Sequence, residues 1–417
     1  MSEQKSMSLF KKFQLFIISI GPGLFIIGYN IGTGSVTSMA STGAEYGMTL
    51  ALPLVLSCIF TYILIVVFGK YTIITGDTII HSYKQHFGKP VGLFILIALI
   101  FTEAVGSVGV MAIVTQVTQE WTRPLTSSGN GIDPIFSTMV YGAILYTLLW
   151  NGKQNFFEKV LAIFVGIMGL SFLITMVMVI PEPSQVISGI MSGIPNESGA
   201  FLLVASMVGT TMGAVIYVVR SVLIKGKGWG MEQLHLEKRD AKVSAIVMFV
   251  LSISVMAAAA GTMYQQGLKV DNAIDMVKLL EPFAGRFAIS IFVGGILAAG
   301  LSSLFPHIML APMLLADYKG ENPDFKSTTN RLISLGIILL SFIVPIFGGR
   351  PVFVMIMSQA FIAIITPVVI FLMLILMNKK ELVGKHSLSK TKNILVGFIL
   401  IFSIIMAVLG LIGLFSL

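Results

Sequence analysis

Apolar residues run through this chain in stretches of about twenty, the length needed to cross about 30 Å of hydrocarbon, and short polar segments separate them. Read with their glycine, proline and charge punctuation, they predict eleven spans: 13–43, 49–74, 91–119, 135–151, 159–180, 199–223, 243–264, 285–316, 330–347, 351–377 and 393–416. No polar stretch is long enough for a separate soluble domain, so the expectation is an all-α integral membrane protein with one transport-sized membrane domain over 1–417.

Two of these spans break the pattern. The first carries "GPGLFIIGYNIGTGSV" at 21–36, and the sixth carries "ASMVGTTMGAVIYVVRS" at 205–221, with Gly209 and Gly213 at mid-depth. Poor helix formers at matching positions, five spans apart, point to a transporter of inverted repeats whose solute site lies where the breaks meet. Backbone released from helical bonding survives at membrane depth only where it is buried in protein or lines a wet cavity. The competing explanation is that the glycines are faces for close helix packing.

Composition agrees with the spans. The chain is 56% hydrophobic with a mean hydropathy of +0.94, and only 11% is charged, against the roughly 25% of soluble domains. The basic N-terminus "MSEQKSMSLFKKF" precedes an apolar run with no small-residue cleavage site, so the first span is expected to be retained. A lone cysteine, Cys58, excludes an internal disulfide and a cysteine metal cluster. The net charge of +8 does not indicate nucleic acid, because the basic residues sit in short loops and form no stripe with interleaved aromatics. Of the 27 Lys and Arg residues, 21 fall on alternate loops beginning with the N-terminus and five on the others. Positive charge accumulates inside, which predicts a cytoplasmic N-terminus, an extracytoplasmic C-terminus and a multi-pass protein of the plasma membrane.

The same stretches resemble the Nramp family of proton-coupled divalent-metal transporters. "GPGLFIIGYNIGTGS" is similar to the family's first-span opening of GPG or GPA, eight residues, then DPGN; "TIITGDTI" is similar to its loop after the second span. "FEKVLA" at 157–162 and "SMVGTTMGAVIYVVRS" resemble the fifth and sixth spans, "GGILAAGLSSL" at 294–304 the eighth, and "SQAFIAIITPVVIF" the tenth. The resemblance implies two inverted five-helix repeats, 13–180 and 199–377, with helices 1 and 6 broken and one additional helix at 393–416. It also implies metal ligands at positions that have changed here. Gly32 stands for the family's aspartate, Ser35 for its asparagine, Gly213 for its methionine, Val215 and Arg220 for its two histidines, and Met212 lies one position from the expected thioether.

What remains at the breaks is neutral: Tyr29, Asn30, Gly32, Thr33, Ser35, Thr210, Thr211, Met212, Gly213 and backbone carbonyls are the candidate substrate-binding residues. Transition metals prefer imidazole, thioether or carboxylate ligands, so a bare Mn²⁺ or Fe²⁺ is not expected, whereas Mg²⁺ keeps several waters in its sites. A metal-ion substrate is the family-level expectation, with no metal ligand set identified. The alternative is a Na⁺- or H⁺-coupled carrier of a zwitterionic or anionic organic solute, its carboxylate at the half-helix N-terminus around 32–35, in a cavity widened by the glycines. Glu103, Arg220, Ser302 and Ser303 are the candidate coupling-ion path. A carboxylate within a span usually marks an ion or proton route, and the two serines could join first-break carbonyls around Na⁺. Arg220 could neutralise Glu103, repel cations, hold an anionic group, or snorkel to the interface. His307 follows Pro306 and could line a path or satisfy a freed carbonyl. His81 and His86 are not expected to hold metal. No phosphate-binding loop or nucleophile with its base is present, so neither an enzyme nor a cofactor is expected.

Overall fold

The computed structural model describes residues 28–29, 32–150, 183–272 and 281–416, with isolated positions between 159 and 177 and residue 275. Most of the predicted first span before the break, Asn30 within the break, and most of the fifth span lie outside the described residues. Among those described, every element is helical and eight helices are long and apolar enough to cross a membrane. The architecture is the expected all-α membrane bundle.

The described α-helices longer than five residues are α1 (Thr33–Tyr46), α2 (Ala51–Thr75), α3 (Ile79–Phe87), α4 (Lys89–Thr122), α5 (Pro134–Trp150), α6 (Pro183–Met191), α7 (Ser198–Met212), α8 (Ala214–Gly226), α9 (Leu234–Thr262), α10 (Glu281–Lys319), α11 (Thr328–Leu340), α12 (Pro351–Leu376) and α13 (Lys390–Phe415). Local chemistry sets their ends. Gly76 closes α2 in the left-handed region at φ 74°, and its N–H returns to the Thr72 carbonyl. Ser327 and Ser389 cap α11 and α13 by accepting the N–H of Asn330 and Lys392.

Three packings position the site. α10 lies along α4, α7 runs between α12 and α13, and α9 covers α1 and α2. The short helix α3 ties the groups together at its N-terminus, where Ile79 N–H donates to Ser221 Oγ of α8 (3.2 Å), and Ile80 and His81 N–H donate to the Asp317 carboxylate of α10 (3.2 and 3.0 Å). An acceptor there satisfies donors that a helix leaves open.

One boundary differs from expectation. The seventh span was predicted from 243, yet α9 begins at Leu234. The charged stretch 237–244 is amphipathic: Glu237, Asp240, Ala241 and Ser244 are buried while Lys238, Arg239 and Lys242 are exposed, the spacing of one helix face.

Candidate functional site

Both breaks are present. In the first, Gly28 and Tyr29 are helical and α1 restarts at Thr33 after an extended Gly32 (φ −73°, ψ −169°). In the second, α7 ends at Met212 and α8 begins at Ala214, with Gly213 extended between them (φ −69°, ψ 145°). The backbone released at Gly213 finds partners in neighbouring helices, as it must at this depth. Ala214 N–H donates to Thr366 Oγ1 (3.0 Å), Thr61 Oγ1 donates to the Thr211 carbonyl (2.7 Å), and Tyr217 OH donates to the Met212 carbonyl (3.2 Å).

The glycines do not widen a cavity, contrary to the expectation from sequence. A methyl on Gly32 would collide with Cβ and Oγ of Ser303, and one on Gly213 would meet the Gly209 carbonyl and, at 2.5 Å, Ile362 Cγ2. Gly209 in turn rests on the Gln359 carbonyl. Their physical role is close approach, which brings α10 against the first break and α12 against the second.

Other candidates divide by the direction they face. Ser35 Oγ lies 3.2 Å from Ser252 Oγ of α9, and Thr211 Oγ1 donates to Ser57 Oγ of α2 (2.7 Å), so both make bonds between helices. Met212 and Thr210 are buried. Thr33, Thr37 and Ser41, four residues apart on one face of α1, are buried hydroxyls with no hydrogen-bond partner among the described residues. Ser302 Oγ donates to the Ala299 carbonyl (3.0 Å) and lies 3.5 Å from the Gly28 carbonyl, beside the first break.

Glu103 is fully buried on α4 and accepts a hydrogen bond from Tyr29 OH at 2.6 Å. Its other oxygen faces His307 Nε2 of α10 at 3.6 Å, and the Tyr29 and His307 rings lie 5.1 Å apart. The first break, α4 and α10 thus converge on one acidic point. Sequence reasoning selected Tyr29 and Glu103, and noted His307 only as lining a path or bonding a freed carbonyl. In the structure His307 Nδ1 is 2.7 Å from the Ser303 carbonyl, one position beyond the Ser302 carbonyl that Pro306 leaves without its helical donor. Gln359 of α12 was missed: its amide packs against Gly34, just past the first break. A polar residue in the apolar run "MSQAFIAI" was the available signal.

Arg220 neither neutralises Glu103 nor snorkels. It is fully buried in a fork on Glu237, with Nε to Oε1 at 3.1 Å and Nη2 to Oε2 at 2.8 Å, and Nη2 also meets Asp240 Oδ2 at 2.6 Å. The reason is steric and electrostatic: two turns below Gly213 the arginine faces the buried stripe of α9, where two carboxylates offer more than the interface does. Arg331 stacks on Trp150, its guanidinium 3.6 Å from the ring centroid.

A sequence profile described as Natural resistance-associated macrophage protein-like matches residues 23–413. The chain is 26% identical over 219 residues to the divalent metal cation transporter MntH of Clostridium acetobutylicum, covering 51% of this chain and 49% of that protein. It is 25% identical over 359 residues to the MntH of Erwinia tasmaniensis, covering 82% of each. The match thus spans about half the length of the first relative and most of the second. Among solved structures, a manganese transporter of Eremococcus coleocola superposes with a TM-score of 0.75 at 12% identity, over 96% of this chain and 86% of that one. At that identity the likeness is one of fold.

Proposed function

The chain belongs to the Nramp family, and from that premise we propose that it is a secondary transporter that moves a metal cation across the membrane by alternating access around the breaks at 29–35 and 209–214. The reading is supported by two interrupted helices, with the backbone released at the second interruption held by neighbouring helices. It is also supported by relatives named as divalent metal cation transporters. Neither feature depends on the other.

The observation that carries the choice of ion is the donor set. Within the breaks themselves the described side chains are neutral and include no carboxylate or imidazole, and the space beside Gly32 and Gly213 is taken by Ser303 and Ile362. Hydroxyls and carbonyls do not offset the dehydration of a transition metal. They suit an ion that crosses with part of its water shell, which is the behaviour of Mg²⁺. The organic-solute alternative loses its physical argument with the cavity that the glycines do not provide. We place the protein in the cell membrane with a cytoplasmic N-terminus and an extracytoplasmic C-terminus, on the distribution of Lys and Arg.

Proteoliposomes loaded with ion-sensitive dye test this. Saturable Mg²⁺ influx, with Mn²⁺ competing at least tenfold more weakly than in a manganese transporter run alongside, is the expected result. Micromolar Mn²⁺ uptake that millimolar Mg²⁺ leaves unchanged would overturn the ion, and no flux of either would overturn the transporter.

A further inference from the structure

α2 and α9 pack along each other, yet over one stretch they part and leave a cavity of about 480 Å³. The residues facing it explain the gap. Val55, Ile59 and Tyr62 of α2 form one wall and Ile246 and Phe249 of α9 the other, each set at the three- and four-residue spacing of a single helix face. Between the walls the buried floor is Cys58 and Ala245, side chains too short to bridge the two helices. Ile59 and Ile246 are 50% and 51% exposed, so the cavity opens on the outside of the bundle, where a membrane protein meets lipid.

The lining is apolar except at one end. Lys242 is the last charged residue before Lys269, so it stands where α9 passes from its charged first turns into its apolar run. Side chains lean towards the N-terminus of their helix, which carries the ammonium to that polar end while its methylenes line the cavity. Lys238, one turn earlier on the same face, is exposed as well. Neither ammonium has an ion-pair partner among the described residues. The acids beside them in sequence, Glu237 and Asp240, face inward and are engaged by Arg220.

An apolar slot with cations at its polar end matches a molecule with an apolar tail and an anionic head. We propose that the groove between α2 and α9 binds an anionic phospholipid, with one acyl chain over Cys58 and Ala245 and the phosphate at Lys242 and Lys238. Val55 to Tyr62 spans about 10 Å of helix, against about 15 Å for the hydrocarbon of one leaflet, so the groove takes a chain of a single leaflet. A sterol or a zwitterionic lipid would leave the lysines uncompensated, and a soluble anion would leave the apolar walls uncovered. The consequence reaches the interrupted helices. α9 packs on α1, which restarts the first span after its break, and α2 packs on α8, which restarts the sixth. A lipid wedged between α2 and α9 therefore braces the helices that back both breaks. The inference stands on the membrane fold and does not need the identity of the transported ion.

The test is native mass spectrometry of the full chain in mild detergent, titrated with dioleoylphosphatidylglycerol and, separately, dioleoylphosphatidylcholine. Wild type should retain one phosphatidylglycerol per chain. Lys242→Gln should weaken it about fivefold, the worth of one lysine beside an anionic headgroup, and leave phosphatidylcholine unchanged; with Lys238→Gln added, the preference for the anionic lipid should vanish. Ala245→Phe, which fills the floor, should release both lipids. Several weakly held phosphatidylglycerols with no distinct first one, or a preference that survives the double lysine variant, would overturn the proposal. So would a second copy of the chain in place of lipid, in a dimer that Ala245→Phe dissociates. Inorganic phosphate at millimolar concentration should not displace the lipid, and displacement would overturn the role of the groove. Should Ala245→Phe fail to fold, dihexanoylphosphatidylglycerol offers wild type the same head on short tails. It should bind about tenfold more weakly or worse, because each buried methylene adds affinity; binding equal to the long-chain lipid would overturn the acyl site.

Discussion

Replacing Arg220 with methionine keeps much of the side-chain volume and removes the one cation from a buried cluster of two carboxylates. The guanidinium makes a fork on Glu237, at 3.1 and 2.8 Å, and an ion pair with Asp240 at 2.6 Å, all three side chains having no exposed surface. Gly69 of α2 lies directly against the Glu237 carboxyl, so the stranded acid cannot swing outward in that direction. Breaking a buried pair by removing one partner costs about 3–5 kcal/mol, most of it from the charge left behind. The triple variant Arg220→Met, Glu237→Gln, Asp240→Asn has no stranded charge and should be more stable than Arg220→Met alone, a non-additivity of about 0.5–3 kcal/mol. The assay is reversible denaturation in mixed micelles, followed by tryptophan fluorescence. An Arg220→Met variant within about 1 kcal/mol of wild type would refute the reasoning, since it rests on the general cost of a stranded buried charge. So would a triple variant no more stable than the single.

Gly213→Met, which would place a thioether where the family resemblance implies one, should reduce folded yield, because overpacking costs about 1–3 kcal/mol and Ile362 and the Gly209 carbonyl already occupy the space; size-exclusion profiles of Gly213→Met against wild type check it, and an unchanged monodisperse yield refutes it. Asp317→Ala should loosen α3, whose Ile80 and His81 amides lose their acceptor, by about 1–3 kcal/mol; hydrogen exchange at 79–83 should quicken, and unchanged protection would contradict the cap. His81 is held below its ordinary value of 6.5 by burial first and then by the Lys84 ammonium, and His86 by burial and then Lys379. The folded state resists protonating both, so the unfolded chain binds more protons as pH falls through about 6.5, and stability is complete above that value and declines below it. Melting at pH 7.5 and 5.5 should show a drop that is smaller in His81→Gln; an equal drop in both would remove His81 from the account.

Much of the fold was legible because membrane crossing is a one-dimensional demand. Length and apolarity alone placed the spans that are described, and glycine at 32 and 213 marked both breaks, since those residues weaken helix wherever they occur. The site was legible only in part. Glu103 was conspicuous as an acid in an apolar run, but its partners were not: Tyr29 and His307 reach it from spans one and eight. Glu237 and Asp240 drew no notice in the sequence because they stand among charged residues and the arginine that needs them lies on another helix.

By itself the sequence determined that the chain crosses the membrane many times, where two helices are interrupted, and that no carboxylate or imidazole stands in the stretches 29–35 and 209–214. Tertiary structure alone decided what the glycines are for, which carboxylates hold Arg220, and that an imidazole and a carboxylate share one point. The physical reason is that spans buried in lipid or protein are apolar on every side. Their periodicity therefore carries little information about which faces meet, and the pairing of helices emerges only when small residues let particular backbones approach.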